Sequence, residues 1–128
     1  MSGVGTKLVF EDDRVIVWHL DLESGQHGAL HTHTLNYVVR VVSGSTLEVF
    51  GPDNELLYIV ELEAGAAVAF TVDGERIVSD RPGYPAVPAT HSVKNVGTET
   101  FAKSSSNSRY RGVRFPVPDQ SRSDEKQA

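Results

Sequence analysis

The sequence contains no cysteine. Without thiols the chain forms neither disulfide bonds nor thiolate metal sites, and a cysteine nucleophile is excluded. The absence is compatible with a reducing compartment, where disulfides are rare. Any metal site or catalytic group in this protein must therefore be built from nitrogen and oxygen atoms.

Clustered positive charge and long apolar runs are also missing. The net charge is -5, and no run of Lys or Arg forms a basic stripe, which argues against a nucleic-acid partner because phosphate binding needs clustered cations. The uninterrupted apolar segments are short, such as Ala66–Phe70, whereas a membrane-spanning helix needs ~20 apolar residues. Met1 to Lys7 lack the apolar segment of a signal peptide. We therefore expect a soluble, cytoplasmic protein with no membrane partner.

Helical periodicity is the remaining absence, since no segment longer than a turn shows it. Apolar, β-branched and aromatic residues instead fall in short segments separated by Gly, Pro, Asn and Asp, which is typical of an all-β sandwich or barrel. The predicted strands are Val15–Leu22, Tyr37–Val42, Thr46–Phe50, Glu55–Glu63, Ala67–Val72, Ile77–Ser79, His91–Asn95, Thr100–Lys103 and Tyr110–Phe115.

The length of 128 residues suits a single domain, which we place at residues 1–115. Pro116–Ala128 combines Pro, Ser, Gln and charges without an apolar period, which predicts a disordered tail. Ser104–Ser108 is all polar where an apolar closing strand is expected. Either this stretch is a surface edge or its side chains face a wet cavity, and the sequence leaves both alternatives open.

Five histidines are present, and two of them form a His-Thr-His segment. Because residues i and i+2 of a strand point to the same face, His31 and His33 present two imidazoles side by side. Imidazole suits Zn, Cu, Ni and Fe. The alternative is a pair of polar residues on a solvated strand face. His19 has the same parity as Val15, Val17 and Asp21 and is interpreted as a polar residue with a partner rather than a ligand.

The surroundings of this pair resemble the first sequence motif of the cupins. Five residues separate Gly25 from His31, three separate His33 from Tyr37, and six separate Tyr37 from Gly44. These spacings are those of the cupin motif, in which a Glu usually stands where this chain has Tyr37. The segment after His33 is similar to that of the small single-domain cupins that include the β-alanine-degradation type, which also carry Tyr there.

A second segment resembles the other cupin motif, which typically reads Pro-x-Gly-x-x-His-x-x-x-Asn. Pro88, His91 and Asn95 match it, although the central Gly is missing and the interval from Pro88 to His91 is two residues shorter. The resemblance implies a single antiparallel cupin barrel, also described as a double-stranded β-helix or jelly roll.

In such a barrel alternate residues of a strand face the lumen, and His31, His33 and Tyr37 share one parity. His91 would arrive on a strand remote in sequence. We therefore predict one divalent transition metal (Fe, Zn, Ni, Mn or Cu) bound by His31, His33 and His91. Because neutral imidazole is the ligand, we expect metal affinity to fall below pH ~6.5.

Other residues near the predicted metal site are candidates for contacts with substrate. A phenol with an ordinary pKa of ~10 is a reluctant ligand for a divalent metal. Tyr37 is therefore interpreted as a catalytic or substrate-binding hydrogen-bonding group, against the alternative of an aromatic lining the barrel. His27 and Gln26 lie in the approach to His31 and are candidates for substrate contacts at the barrel mouth, although surface exposure alone is also compatible with them.

Two functions of different kinds fit these residues. The first is a metal-dependent enzyme acting on a small polar molecule. The resemblance implies either a three-His dioxygenase or a reaction in which the metal acts as a Lewis acid. The second is a non-enzymatic module that binds a small molecule or metal, which the loss of the usual Glu favours. A metal-free isomerase using histidines as acid and base is a third. Small cupins often pair, and an open sheet edge invites pairing, so we also predict a homodimer.

Overall fold

The computed structural model describes residues 7–109 and consists of strands, turns and loops. Its strands are all antiparallel, and no helix occurs within these residues. The all-β prediction is therefore confirmed. Residues 7–109 contain no helix that is long and apolar enough to cross a membrane. The strands are β1 (Lys7–Glu11), β2 (Val15–Leu22), β3 (His31–Thr32), β4 (Tyr37–Ser43), β5 (Ser45–Phe50), β6 (Leu56–Leu62), β7 (Ala67–Asp73), β8 (Arg76–Ser79), β9 (Val87–Pro88), β10 (Thr90–Asn95) and β11 (Phe101–Ser108).

The strands form two sheets. A seven-stranded sheet has the order β1-β2-β11-β4-β7-β8-β9, and a four-stranded sheet has the order β3-β10-β5-β6. The chain passes from the first sheet to the second through Gly44, the single residue between β4 and β5. A Cβ at Gly44 would collide with the carbonyl oxygen of Leu62, so this close crossing requires glycine.

The core lies between the two sheets and is built from alternate residues of each strand. In β4, Tyr37, Val39 and Val41 are buried, whereas Arg40 and Val42 are exposed. This alternation is the period of two that a strand imposes on its side chains. The buried hydrophobic cluster combines residues of both sheets: Leu22, Tyr37, Val39, Val41, Leu47, Ile77, Val87, Ala89 and Phe101.

The polar stretch Ser104–Ser108 continues β11 and lies at the centre of the large sheet, between β2 and β4. It is therefore not a surface edge. Ser105 and Asn107 are buried, and Asn107 Nδ2 donates to the carbonyl oxygen of Ile16 at 3.2 Å. The stretch therefore brings polar side chains into the interior at two of its five positions.

Most predicted strands begin and end within one or two residues of the observed ones, but three differ in kind. β1 and β9 were not predicted, and the strand expected at Thr100–Lys103 continues to Ser108. β1 is exposed at every residue. Its sequence therefore lacks the buried alternation by which the other strands are recognised. The predicted strand Tyr110–Phe115 and the predicted tail Pro116–Ala128 lie outside the described residues.

Candidate metal centre

Strand pairing brings two of the candidate ligands together. β3 and β10 are antiparallel neighbours, and His31 lies directly opposite His91 in their register. His33 follows β3 by one residue, and its backbone N–H donates to the carbonyl oxygen of Ala89 at 2.9 Å. The expectation that one strand carries both His31 and His33 holds only in part, because β3 ends at Thr32. The hydrogen bond to Ala89 keeps His33 beside β10 all the same.

The three imidazoles converge on one point. One ring nitrogen from each of His31, His33 and His91 lies within 4.8 Å of the others. The Nε2 atoms of His31 and His33 are 3.1 Å apart, and the ring centroids of His31 and His91 are 4.9 Å apart. No other group of this kind occurs among residues 7–109.

Backbone carbonyls orient two of the rings. The Nδ1 of His31 donates to the carbonyl oxygen of Ala29 at 2.9 Å, and the Nδ1 of His91 donates to that of Pro88 at 3.0 Å. Because the proton is then on Nδ1, each ring presents the lone pair of Nε2 to the convergence point. A hydrogen bond to the second ring nitrogen is the usual way in which proteins fix a metal-binding histidine.

Burial keeps these imidazoles neutral. Desolvation lowers the pKa of His91 to about 4 and holds the pKa of His33 far below its usual range, and it also lowers the pKa of His31. The other histidines lower the pKa values of His33 and His91 further, because protonated imidazoles so close together would repel one another, and the charge of Lys103 lowers all three. Since only the neutral ring binds a metal, the structure moves the expected loss of affinity from pH ~6.5 to lower pH.

The donor set fits a divalent transition metal. Two nitrogens that each lie ~2.1 Å from one ion, at an angle of 90–110°, are separated by ~3.0–3.4 Å. The observed separation of 3.1 Å between His31 Nε2 and His33 Nε2 falls in this range. The three nitrogens together spread over as much as 4.8 Å, so the rings would have to move slightly closer for all three to bind one ion. Three neutral nitrogens leave coordination positions open, which is the arrangement of catalytic rather than structural metal sites. The histidines could therefore hold a metal ion, and their nitrogens alone do not select which one.

Tyr37 packs against the centre without joining it. Its ring stacks on His33 at 4.2 Å between centroids and on Phe70 at 4.8 Å. Burial raises the pKa of its phenol well above the usual value, so the hydroxyl stays protonated at neutral pH. A protonated phenol is a poor metal ligand and a good hydrogen-bond donor. The stacked ring of Tyr37 supports the His33 imidazole, and a contact of its hydroxyl with substrate stays a prediction.

The other two candidate substrate residues both line the cavity but differ in what their side chains do. His27 Nε2 shares a 2.8 Å hydrogen bond with Ser92 Oγ, and the ring contacts Phe50. Gln26 Oε1 instead accepts from the backbone N–H of Glu23 at 2.9 Å, which stabilises the turn before β3. Both side chains thus have hydrogen-bond partners within the protein, and their contact with a substrate stays a prediction.

His19 lies apart from this site. It is not among the residues that line the cavity, and its Nε2 is 3.0 Å from the carboxylate of Asp21. The interpretation of His19 as a polar residue with a partner agrees with this geometry.

Asn95 fastens the segments that lead to the centre, a role that its place in the sequence motif did not reveal. It is fully buried. Its Nδ2 donates to the carbonyl oxygens of Leu22 and Glu99, and its Oδ1 accepts from Ser45 Oγ and from the N–H of Gly97. This amide therefore ties the end of β10, and with it His91, to β2 and β5.

His31 and His91 line a cavity of about 310 Å³ inside the barrel, whereas His33 lies behind its wall. Most of its walls are Leu, Val and aromatic side chains, and no Asp or Glu among residues 7–109 lines it. One charged residue does line it, Lys103 of β11. The sequence interpretation missed Lys103 because it took Thr100–Lys103 as an ordinary strand. Lys103 could have been found from its spacing, because it lies two residues after the apolar Phe101 and the two side chains therefore point to the same, inner face of the strand.

Comparison with known proteins identifies the architecture through structure alone. No protein-family model matches the sequence, and no curated protein matches it. A cupin domain from Bordetella pertussis Tohama I is 19% identical, with a TM-score of 0.58 over 80% of this chain and 88% of its own. An RmlC-like cupin family protein with a double-stranded β-helix fold, from Methanocaldococcus jannaschii, is 11% identical. Its TM-score is 0.53 over 83% of this chain and 80% of its own.

A third similar structure comes from Klebsiella pneumoniae subsp. pneumoniae and is described as an uncharacterized conserved protein with a double-stranded β-helix domain. It is 23% identical, with a TM-score of 0.51 over 80% of this chain and 73% of its own. These likenesses show the fold, and they confirm the architecture that the two sequence motifs predicted.

Proposed function

On the premise that this chain has the cupin fold, we propose that it is a metal-dependent enzyme of the cytoplasm. In this proposal one divalent ion is held by His31, His33 and His91, and a small polar organic molecule binds beside it in the barrel. The observation that carries the proposal is the convergence of three neutral imidazoles, two of which, His31 and His91, line an internal cavity.

The bound metal would supply either activation of dioxygen or Lewis-acid polarisation of the substrate. The residues of the chain would orient the ligands, exclude water and hold the substrate. Ala29 and Pro88 orient two imidazoles through their Nδ1 protons, and the apolar walls exclude water from the molecule bound between the sheets. Tyr37 offers a protonated hydroxyl, which can donate a hydrogen bond to an oxygen of the substrate.

A second candidate function is a non-enzymatic binding module. It is favoured by the absence of a carboxylate among the residues, within 7–109, that line the cavity. Proton transfer in metal enzymes often depends on such a group. In its absence the same three histidines and cavity would hold a metal and a ligand without turning the ligand over.

The first experiment measures metal content in protein purified without a histidine tag, by elemental mass spectrometry. We expect about one divalent ion per chain in the wild type. His31→Ala and His91→Ala should abolish stoichiometric metal and leave the barrel folded by circular dichroism. His19→Ala and His27→Ala are the matched controls and should retain the ion. Equal metal in all four variants would refute the assigned site.

The second experiment separates the two functions. Dioxygen consumption is recorded with β-diketones, thiols and small carboxylates, using protein loaded with Fe²⁺, and hydrolysis or isomerisation is followed with Zn²⁺. Turnover that is lost in His91→Ala supports the enzyme. Binding without turnover across the panel supports the binding module. Turnover that persists after chelation would support a metal-free reaction and contradict both.

A further inference from the structure

Lys103 is a cation inside the barrel. It lies in β11, where its register partners are Leu20 of β2 and Val41 of β4. Its side chain shares the inward face of β11 with Phe101 and Ser105, both of which are buried. It is also one of the residues that line the cavity. The ammonium group is therefore held inside the barrel, on the sheet that faces the histidines.

No ion-pair partner among the described residues balances this charge. The ion pairs among residues 7–109 do not include Lys103. Burial is the effect that perturbs it, and burial lowers its pKa to about 8. At pH 7 the protonated form still exceeds the neutral one by about ten to one. The cavity thus carries a positive charge with no carboxylate of the described chain facing it.

An unpaired buried ammonium is expensive, because it loses hydration and gains no counter-charge. A ligand with a negative charge removes that penalty when it binds. The rest of the cavity wall is largely apolar, including Leu47, Val49 and Val68. This combination is complementary to a molecule with one anionic end and a hydrocarbon body.

We propose that Lys103 binds the carboxylate of the substrate, and that the substrate of this barrel is a small carboxylic acid with an apolar body. This inference rests on the proposed function in its assignment of the cavity as the substrate site. The Lys103 ammonium would fix one end of the acid, and the apolar walls would direct the remainder past the three histidines. A phosphate fits less well, because it carries more charge to desolvate and has no apolar part.

The test uses acids and amides of equal shape. Butanoate, hexanoate and octanoate are titrated by calorimetry against the corresponding neutral amides, and inorganic phosphate is a further probe. Each titration is run on Zn²⁺-loaded protein and again after treatment with EDTA. We expect at least one acid to bind roughly 10- to 100-fold more tightly than its amide, since a hydrogen bond to a charged group gives a preference of this order.

Variants assign the preference to one side chain. Lys103→Met retains the unbranched stem and removes the charge, so it should reduce the ratio of acid to amide affinity to near one while metal content stays unchanged. Lys94→Met is the matched control, because Lys94 lies on β10 beyond the cavity lining, and it should keep the wild-type ratio. Lys103→Gln serves the same purpose if the methionine variant does not fold.

The outcomes separate this inference from the proposed function. A preference for the acid that survives EDTA and disappears in Lys103→Met supports the role of Lys103, whether or not a metal is found. If the preference persists in Lys103→Met but vanishes with EDTA, the carboxylate binds the metal and the inference is wrong. It is also wrong if none of the three acids binds, or if phosphate binds as tightly as the acids.

Discussion

Acid should destabilise the metal-free protein through its buried histidines, and the size of the effect follows from the pKa of His91. Burial lowers that pKa to about 4, whereas an unfolded chain has a histidine pKa of ~6.5. At pH 5 the unfolded state binds nearly one proton at this position and the folded state about a tenth of one. Because the unfolded state binds more protons, the free energy of unfolding falls as the pH falls below ~6.5.

For His91 alone, this difference removes about 2 kcal/mol of stability between pH 7.5 and pH 5. His33 and His31 add to the loss, since burial also lowers their pKa values. Lys103 contributes little in this window because its pKa is about 8 in the folded protein, so it is mostly protonated in both states.

The assay is urea unfolding followed by circular dichroism, in EDTA, at pH 7.5 and at pH 5. We compare the wild type with His91→Gln, which keeps a polar side chain but cannot titrate. The variant should lose about 2 kcal/mol less than the wild type over this interval. An equal loss in both proteins would mean that His91 is protonated in the folded state at pH 5, and the account of burial given above would be wrong.

Four further results are expected. Asn95→Ala removes four hydrogen bonds and should lower the free energy of unfolding by about 3 kcal/mol. A loss below about 1 kcal/mol in urea unfolding would contradict its role. Tyr37→Phe should retain one metal ion per chain and impair turnover, and loss of the metal by elemental analysis would make Tyr37 a ligand. We propose a homodimer through the exposed edge strand β1, where Phe10 is 50% exposed. Light scattering should give a dimer mass for the wild type and a monomer mass for Phe10→Glu. A monomeric wild type at micromolar concentration would refute the proposed dimer. A chain truncated after Phe115 should melt at the same temperature as the full chain, and a fall of several degrees would show that Pro116–Ala128 is docked.

Local periodicity was sufficient to predict most of the fold. The strand period of two, combined with Gly, Asn and Asp at the turns, located β2 and β4 through β8 to within about two residues. The same rule placed His31 and His33 on one side of the chain. β1 was not predicted because its residues are all exposed, so burial imposes no alternation on its sequence.

The convergence of the site depends on long-range register, which local patterns do not contain. His31 and His91 are neighbours because β3 pairs with β10 at that one register. A shift by one residue would have turned one of the two rings to the opposite face of the sheet. The two motifs indicated that the three histidines form one metal site. The hydrogen bonds from His31 to Ala29 and from His91 to Pro88 could not be predicted, because they depend on the folded chain.

Lys103 shows a different limit of sequence interpretation. A lysine in a strand normally indicates the solvent side, and the five polar residues that follow Lys103 favour the same side. Only the central position of β11, between β2 and β4, shows that one face of this polar strand is enclosed.

The shortness of β3 has a kinetic consequence. Two residues pair with β10 at this edge of the small sheet, and backbone hydrogen bonds from Gly28 to Val93 and from His33 to Ala89 flank them. Short edge segments of this kind are among those that open by local fluctuation. One such opening would carry His31 away from His91 and loosen His33 in the same event. A bound ion would then be released in a single concerted step rather than ligand by ligand. Its exchange with a chelator would be limited by the rate at which the segment opens, so that rate would reach a plateau as the chelator concentration rises.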